Sequence, residues 1–471
     1  MNTLPTAPKP EIDRDLINKY SMRGPRYTSY PTAPEWTDAV GEEAYWRHIE
    51  ATNPGNSTQP LSLYIHIPFC GERCHFCGCN VIITSREDIH NNYVDLVCME
   101  VERVAAKVDK TRPVIQFHLG GGTPTEISPA ALEQLLKFVK GQFNFDPAAE
   151  LSIEVDLRVT TPEHLDVLIG CGFNRISMGV QDFSEKTQEA INRPQGREQT
   201  ESFIKLCREK GFVSINVDLV YGLPHQSTDT FSQTLDAIFE IDPDRIALYN
   251  YAYLPGKLGN QRRMEESWLP SAEERFNIFQ LAIDRFTENG FVYIGMDHFA
   301  KPGDELTIAQ REGTLQRNFM GFTTRAGADL YSFGVSSISS LDAIYIQNNK
   351  KLHTYEKMIR EGALPIERGI ELTKDDRMRR WVIMELMCNL RLPIERFNQT
   401  WDETFHDYFS DELAQLKPFI DDGLIDPNIT QEIHVLELGR IIIRPIAMVF
   451  DYYLQQAQKT GRKSPTFSKT L

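Results

Sequence analysis

The 471-residue chain contains no uninterrupted apolar stretch of membrane-crossing length. A spanning helix needs about 20 such residues, so no membrane span is expected. The opening residues, MNTLPTAPKPEIDRD, lack the basic start and apolar core of a secretory signal. Positive charge is in deficit: 50 Lys and Arg stand against 66 Asp and Glu, a formal net charge of −16. General nucleic-acid binding needs a basic footprint and is excluded on this balance. An anionic small molecule is not excluded, because a few placed Arg and Lys make a local positive pocket. Repeats and low-complexity tracts are missing as well. At 41% hydrophobic, the remainder is ordinary globular composition, enough to bury a sizeable core.

Cysteine is scarce and unevenly spent. Four of the eight fall in PFCGERCHFCGCN (68–80), as Cys70, Cys74, Cys77 and Cys79. Cys98, Cys171, Cys207 and Cys388 stand alone in apolar or helical contexts and read as small core residues. A large chain without an export signal is a poor disulfide scaffold. The cluster therefore reads as metal-binding or catalytic in a reducing compartment, and a cytoplasmic location is expected.

Residues 1–60 are polar and proline-rich and read as an extension lying on the main domain. From 61 to 300, strand-length apolar runs alternate with helices. The runs are LSLYIHIPF (61–69), VIQFHLG (114–120), LSIEVD (151–156), RISMGVQ (175–181), SINVDLVYG (214–222), RIALYNYAY (245–253) and VYIGMDHF (292–299). They read as near-continuously hydrophobic, as strands buried on both faces should be. SPAALEQLLKFVKGQF opens with a capping Ser128 and Pro129, and Leu132, Leu135, Leu136 and Val139 make one apolar stripe. Parallel strands joined by helices wind right-handed, and six or seven such units fit an α/β barrel or partial barrel. Residues 301–365, weak in strands, read as a connecting segment near the active site. Residues 366–471 read as a mostly helical C-terminal domain with a small hairpin.

Cys70, Cys74 and Cys77 follow C-x3-C-x2-C and leave the first predicted strand directly. In parallel α/β folds, chemistry collects at the C-terminal ends of the strands. Tetrahedral zinc usually takes paired C-x2-C units or histidines at set distances, and no second pair exists here. A zinc site and coincidental core cysteines remain the competing readings. Three thiolates on a four-iron cubane would leave one iron for an amine and carboxylate from a small molecule. In that respect the stretch resembles the signature of the radical S-adenosylmethionine (SAM) enzymes. Cys79, two residues past Cys77, would point the other way in an extended segment. Packing or a catalytic role are both open for it.

Tyr64 and His66 alternate on the first strand and share a face, in the core or at a site. Phe76, inside the cysteine loop, could cover an adenine. GGGTPT (120–125) permits close backbone approach to a ligand, or is simply a turn. Glu154, Gln181 and Asp218 lie at or in strand ends, with Arg193 on the helix after the fourth strand. Burying such groups is costly without partners, and a ligand is one possible partner.

Taken together, YIHIPFC…CHFCGC, HLGGGTPT, FNRISMGVQDF, VDLVYGLP, IGMDHFA, AQREGTLQRNFMGFTT and RGPRYTSYPT resemble the oxygen-independent coproporphyrinogen III oxidase family, from about residue 20 to about 455. The resemblance implies a radical SAM (β/α)6 barrel, one [4Fe-4S] cluster on Cys70, Cys74 and Cys77, and two SAM molecules. By motif match Tyr64, Phe76, Gly121, Glu154, Gln181 and Arg193 would contact the first SAM, and Gly122, Thr123, Asp218, Ala252 and Ile338 the second. Coproporphyrinogen III would be oxidatively decarboxylated at its ring A and ring B propionates to protoporphyrinogen IX in heme biosynthesis. A low-potential donor of flavodoxin or ferredoxin type and a monomeric state are implied. Arg23, Arg26, Arg311, Arg317 and Arg325 are candidates for the propionates, and Tyr27, Tyr30 and Phe319 either wall the macrocycle or pack in the core. A heme-binding chaperone of the same fold and a radical SAM methyltransferase are the alternatives. Cys79 counts against the chaperone, which typically has Phe there. Leu157 stands where the family usually has Pro, so the backbone after Glu154 is expected to be looser.

Overall fold

A computed structural model describes residues 14–52, 59–461 and 467–468 of the chain. Thirteen N-terminal residues of the expected extension, and its residues 53–58, lie outside the described residues. The chain forms two compact units. The larger comprises residues 36–279 and 325–372, the smaller the described parts of 1–35, 280–324 and 373–471. The connecting segment thus divides: 301–324 belongs to one unit and 325–365 to the other.

The larger unit begins with six strands: β1 (Leu61–Ile67), β2 (Pro113–Gly121), β3 (Asn144–Val155), β4 (Arg175–Gln181), β5 (Ser214–Tyr221) and β6 (Arg245–Asn250). Each pairs in parallel with the next. Helices α1 (Glu87–Ala105), α2 (Pro129–Gln142), α3 (Pro162–Gly170), α4 (Arg197–Lys210) and α5 (Thr228–Ile241) fill the crossovers. This is the partial (β/α)6 barrel expected from the alternation. The starts of α2 and α5 are set by hydroxyls: Ser128 Oγ accepts from the Ala131 N–H at 3.3 Å, and Ser227 Oγ from the Thr230 N–H at 3.3 Å. The α2 stripe of Leu132, Leu135, Leu136 and Val139 is fully buried, as its spacing requires.

Two readings of the sequence are corrected here. The segment expected to be weak in strands holds β7 (Asp329–Phe333), β8 (Ile338–Leu341) and β9 (Ile344–Asn348), followed by β10 (Ile366–Glu371). β7 runs parallel to β1, and β8–β10 continue antiparallel, giving the order β10-β9-β8-β7-β1-β2-β3-β4-β5-β6. Gly334 (φ +93°) turns the chain after β7 and explains why a polar, glycine-rich run hides strands. In the smaller unit, VYIGMDHF is not one strand. It breaks into an antiparallel hairpin, Val292–Gly295 with His298–Ala300, around Gly295 and Met296 at positive φ.

The barrel strands are also less uniformly apolar than they read. Leu61, Leu63, Ile65 and Ile67 are fully buried, and between them stand Ser62, Tyr64 and His66. Register then stacks the polar positions in layers. Lowest, Ser62 Oγ donates to Gln116 Oε1 at 2.9 Å, Gln116 Nε2 to Glu150 Oε1 at 2.9 Å, and Arg175 pairs with Glu150 at 3.3 Å. Above them, Tyr64 stacks on His118 at 5.9 Å and His118 Nδ1 meets Ser152 Oγ at 2.6 Å. The polar residues are satisfied by one another, which lets a barrel interior be polar without being open.

The smaller unit is mostly helical. Its helix Lys374–Asn389 is buried along most of its length, and Arg391–Pro393 pairs with Glu432–His434 as a short ladder. Residues 424–426 meet 434–436 in the short hairpin expected from the sequence, around an Ile425–Val435 bridge, and the same strand pairs on its other side with the upstream ladder. Tyr27 and Tyr30 are core residues of this unit: the Tyr27 hydroxyl donates to Asp451 at 2.9 Å, and the Tyr30 hydroxyl accepts from the Tyr452 N–H at 3.1 Å. Full burial removes both as candidate walls of a macrocycle. Among the described residues, no helix is long and apolar enough to cross a membrane.

Glu100, on the buried face of α1, clamps the turn after β7. Its carboxylate accepts from Gly334 N at 2.8 Å, Asn348 Nδ2 at 2.6 Å and the Tyr355 hydroxyl at 2.6 Å. Burial pushes its carboxyl up to about 7 against these three donors, which favour the ionised form. Between the usual 4.5 and about 7 the folded chain holds a proton that the unfolded chain has released. This contribution to stability is therefore complete below 4.5 and is lost as pH rises through 7. Denaturant unfolding across pH 4–8 should show a decline on the order of 3 kcal/mol in wild type that Glu100→Gln flattens; equal slopes would contradict the assignment.

Candidate active site

The cysteine loop leaves β1 through Pro68 and the short strand Phe69–Cys70, which pairs with Ile82–Ile83. All eight cysteines are free thiols, and the four lone ones are buried, as expected. Cys74 is buried, Cys70 and Cys77 are half-buried, and Cys79 is exposed. Burial pushes the Cys70 thiol up to about 11, opposed by Thr123, whose Oγ1 lies 3.6 Å from the sulfur. Cys79 does not point away from Cys77. The chain bends there instead of extending, and the Cys79 N–H donates to Cys77 Sγ at 3.4 Å. A hydrogen bond from Cys79 makes Cys77 the more acidic thiol of that pair.

Two guanidinium groups face Cys74. Arg193 Nη1 lies 3.6 Å from its sulfur and Arg158 Nη2 3.9 Å. Both also pair with Asp156, Arg193 at 2.9 Å and Arg158 at 2.7 Å. Arg193 further donates to the Gly179 carbonyl at 3.0 Å. It sits in the turn after the short helix Glu185–Ala190, not on a helix, because Asn192 at φ +54° ends that helix. Leu157 sits in a turn held by several hydrogen bonds. Asp156 Oδ1 accepts from the Arg158 N–H at 3.0 Å, the Asp156 carbonyl accepts from Val159 and Thr160 at 3.1 Å, and Leu157 itself is buried.

The top layer of the barrel gathers the remaining residues. Gly121 has φ +121°, and a Cβ there would fall 2.8 Å from the His66 ring, so only glycine fits. A Cβ on Gly122 would fall 2.7 Å from the Phe69 carbonyl oxygen. That close approach lets the Gly122 and Thr123 N–H groups donate to Ile67 and Phe69 at 2.8 Å, fixing the turn against the cysteine loop. The Gly121 N–H donates to Glu154 at 3.2 Å, with His118 Nε2 3.7 Å from the same carboxylate. Although desolvation opposes it, these partners hold the half-exposed Glu154 carboxyl below the usual range. Asp218 goes the other way: burial, then the Glu154 charge, push it up to about 7 against a bond from Asn216 at 2.8 Å. Gln181, at φ +69°, ends β4. Ile338 opens β8, its carbonyl accepting from Ser332 at 2.6 Å, and Ser332 is the register partner of Tyr64. Phe76 packs on a cluster of Ile191, Val220, Leu223, Tyr251 and Met264.

Of the arginines considered for an anionic substrate, Arg26 pairs with Asp297, Arg23 donates to the Phe467 carbonyl and Arg317 lies 4.9 Å over the Phe322 ring. Each already has a partner within its own unit. Arg311 is exposed, and Arg325 and Phe319 are half-buried.

The sequence reading missed the residues that hold the cysteine loop from outside. Asn260 Nδ2 donates to the carbonyls of Cys74, His75 and Cys77 at 3.2, 2.9 and 3.0 Å. Gln261, 1% exposed, donates to the carbonyls of Phe76 at 3.3 Å and Ala252 at 3.1 Å. Two adjacent amides in the short 3-10 helix Gly259–Arg263 carry no periodic signal; only their pairing with the loop carbonyls identifies them. His118 and Asp156 were also passed over, although His118-x-Gly120 repeats the two-residue alternation of Tyr64-x-His66.

Among the described residues, no three His, Cys, Asp or Glu side chains converge as they would on a single metal ion. A cuboidal cluster spreads its thiolate ligands wider than one ion does. Free thiols on one loop, with two cations at the buried sulfur, suit an anionic iron–sulfur core. Asn260→Ala removes the amide nitrogen that contacts three carbonyls of the cysteine loop. After anaerobic reconstitution, iron loss to a chelator should quicken on the order of ten-fold, with the far-ultraviolet circular dichroism unchanged; unchanged iron retention would show that the loop holds itself.

Comparison with known proteins gives consistent results. Residues 64–238 match the model of the radical SAM superfamily, and 372–428 that of the HemN C-terminal domain. The chain is 45% identical over 448 residues to the oxygen-independent coproporphyrinogen III oxidase of Escherichia coli, covering 95% of this chain and 97% of the relative. It is 44% identical over 459 residues to the protein of the same name from Synechocystis, covering 96% and 98%. Among solved structures, coproporphyrinogen III oxidase (HemN) from Escherichia coli, described as a radical SAM enzyme, superposes with a TM-score of 0.89 at 44% identity, covering 94% of this chain and 99% of that one.

Proposed function

The chain belongs to the oxygen-independent coproporphyrinogen III oxidase family, and we propose that its own residues hold one iron–sulfur cluster and two SAM molecules for that reaction. It is a radical SAM oxidoreductase of porphyrin biosynthesis acting on coproporphyrinogen III. The observation that carries the detailed reading is the loop of three free cysteines at the C-terminal end of β1, with Arg193 and Arg158 facing the Cys74 sulfur.

Cys70, Cys74 and Cys77 are the ligands in this reading, and Cys79 is a catalytic residue beside them. When bound, the cluster and SAM supply a 5′-deoxyadenosyl radical able to take a hydrogen atom from an unactivated carbon. Each of the two propionates, on rings A and B, loses one hydrogen atom, one electron and carbon dioxide, leaving a vinyl group.

The protein's part is binding, orientation and electrostatics. Arg193 is buried and paired with Asp156, which aims it to meet a carboxylate while facing Cys74. Glu154, held ionised, suits an ammonium group or ribose hydroxyls. With Arg193, it joins Tyr64, Phe76, Gly121 and Gln181 around the first SAM. Gly122, Thr123, Asp218, Ala252 and Ile338 take the second; Asp218, poised near 7, can accept from a hydroxyl or share a proton there. A cytoplasmic monomer, served by a low-potential flavodoxin- or ferredoxin-type donor, completes the reading, and the free buried thiols support a reducing compartment.

With SAM, dithionite and coproporphyrinogen III under anaerobic conditions, vinyl product and 5′-deoxyadenosine should form together. Bound heme without SAM cleavage, or S-adenosylhomocysteine, would overturn the assignment. Replacing Cys70, Cys74 or Cys77 by Ala should each drop iron from about four per chain toward zero. Cys79→Ser should keep iron and slow product formation; loss of iron in that variant would refute the three-ligand set.

A further inference from the structure

The cysteine loop is braced by a segment that carries charge of the opposite sign to the molecule. Residues 255–263, PGKLGNQRR, hold Lys257, Arg262 and Arg263 and no acidic residue, in a chain of net charge −16. All three cations are exposed. Arg262 Nε donates to the Pro255 carbonyl at 2.9 Å, which holds its backbone turn without neutralising it. Between these cations, the same segment reaches inward. Asn260 and Gln261 bond the carbonyls of Cys74, His75, Phe76 and Cys77, and Leu258 lies where a Cβ on Gly78 would meet it at 3.7 Å. The sign reverses at Glu265 and Glu266, after Met264 has turned into the core.

We propose that Lys257, Arg262 and Arg263 form the docking surface for an acidic, low-potential one-electron carrier protein that reduces the cluster. This rests on the cluster ligation proposed above. Two physical requirements meet at this segment. Electron tunnelling decays steeply with distance, so the carrier must dock beside the ligand loop, and this segment bonds that loop directly. A strongly acidic chain repels an acidic carrier at long range, so a local basic patch is needed to steer and orient it. At each encounter the carrier is oxidised by one electron and the cluster is reduced by one; no bond forms between the two proteins.

The test compares wild type with Lys257→Glu/Arg262→Glu/Arg263→Glu as reconstituted full-length holoenzymes. Reduced flavodoxin and dithionite are used as alternative reductants, and 5′-deoxyadenosine is measured. With flavodoxin, the apparent KM for the carrier should rise about ten-fold or more, and the decline of rate with added salt should flatten. With dithionite, the variant should match wild type in rate and iron content. Unchanged flavodoxin KM and salt dependence would overturn the docking surface, as would equal loss with both reductants. Failure of wild type to cleave SAM with dithionite would instead overturn the cluster reading, so the two failures are distinguishable.

Discussion

The register of the parallel strands is the constraint on which the site depends. Side chains alternate faces along a strand, so a one-residue slip between β1 and β2 would exchange Tyr64 and His66 for Leu63 and Ile65 inside the barrel. The observed pairing, Tyr64 with His118 and His66 with Gly120, fixes three things together. It closes the lower polar layers, in which Ser62, Gln116 and Glu150 satisfy one another. It brings the glycine turn against the start of the cysteine loop. It also sets Glu154, through β3, beneath that turn. Because the lower layers are self-satisfied, the unsatisfied polar capacity of the barrel is left at its C-terminal end, where ligands are taken in α/β folds.

Much of this was legible in the sequence. Strand–helix alternation pointed to six or seven parallel units, of which six are present, and the C-x3-C-x2-C spacing drew attention to the loop after the first strand. Residues at strand ends were readable because a polar side chain in an apolar run stands out, as Glu154 and Asp218 do. What was not legible depended on tertiary pairing. β7 and β8 were hidden by short runs broken by serine and by Gly334, and β7 gains its stability from pairing beside β1. Tyr27 and Tyr30 fitted a macrocycle wall or core packing equally well, and only the fold shows Asp451 and the Tyr452 N–H satisfying their hydroxyls. Asn260 and Gln261 are meaningful solely through the carbonyls they meet.

Electrostatics follow from the same geometry. Asp156 draws two guanidinium groups to one buried sulfur, placing positive charge where an anionic cluster needs it. Its carboxylate and carbonyl also accept the hydrogen bonds that shape the turn through Leu157. Glu154 and Asp218, kept on opposite sides of the ordinary carboxylate range, give two acidic groups with different protonation at neutral pH. Beyond the barrel strands, a short cationic segment of a chain with net charge −16 holds the cysteine loop.

The central claim is an iron–sulfur cluster with three protein thiolates and one iron left open for SAM. Mössbauer spectroscopy of protein reconstituted with iron-57 tests it directly. The account predicts that adding SAM shifts the signal of one iron in four, at the site without a protein ligand, and leaves the other three unchanged. A spectrum indifferent to SAM, or a loop that retains zinc and no iron, would contradict it.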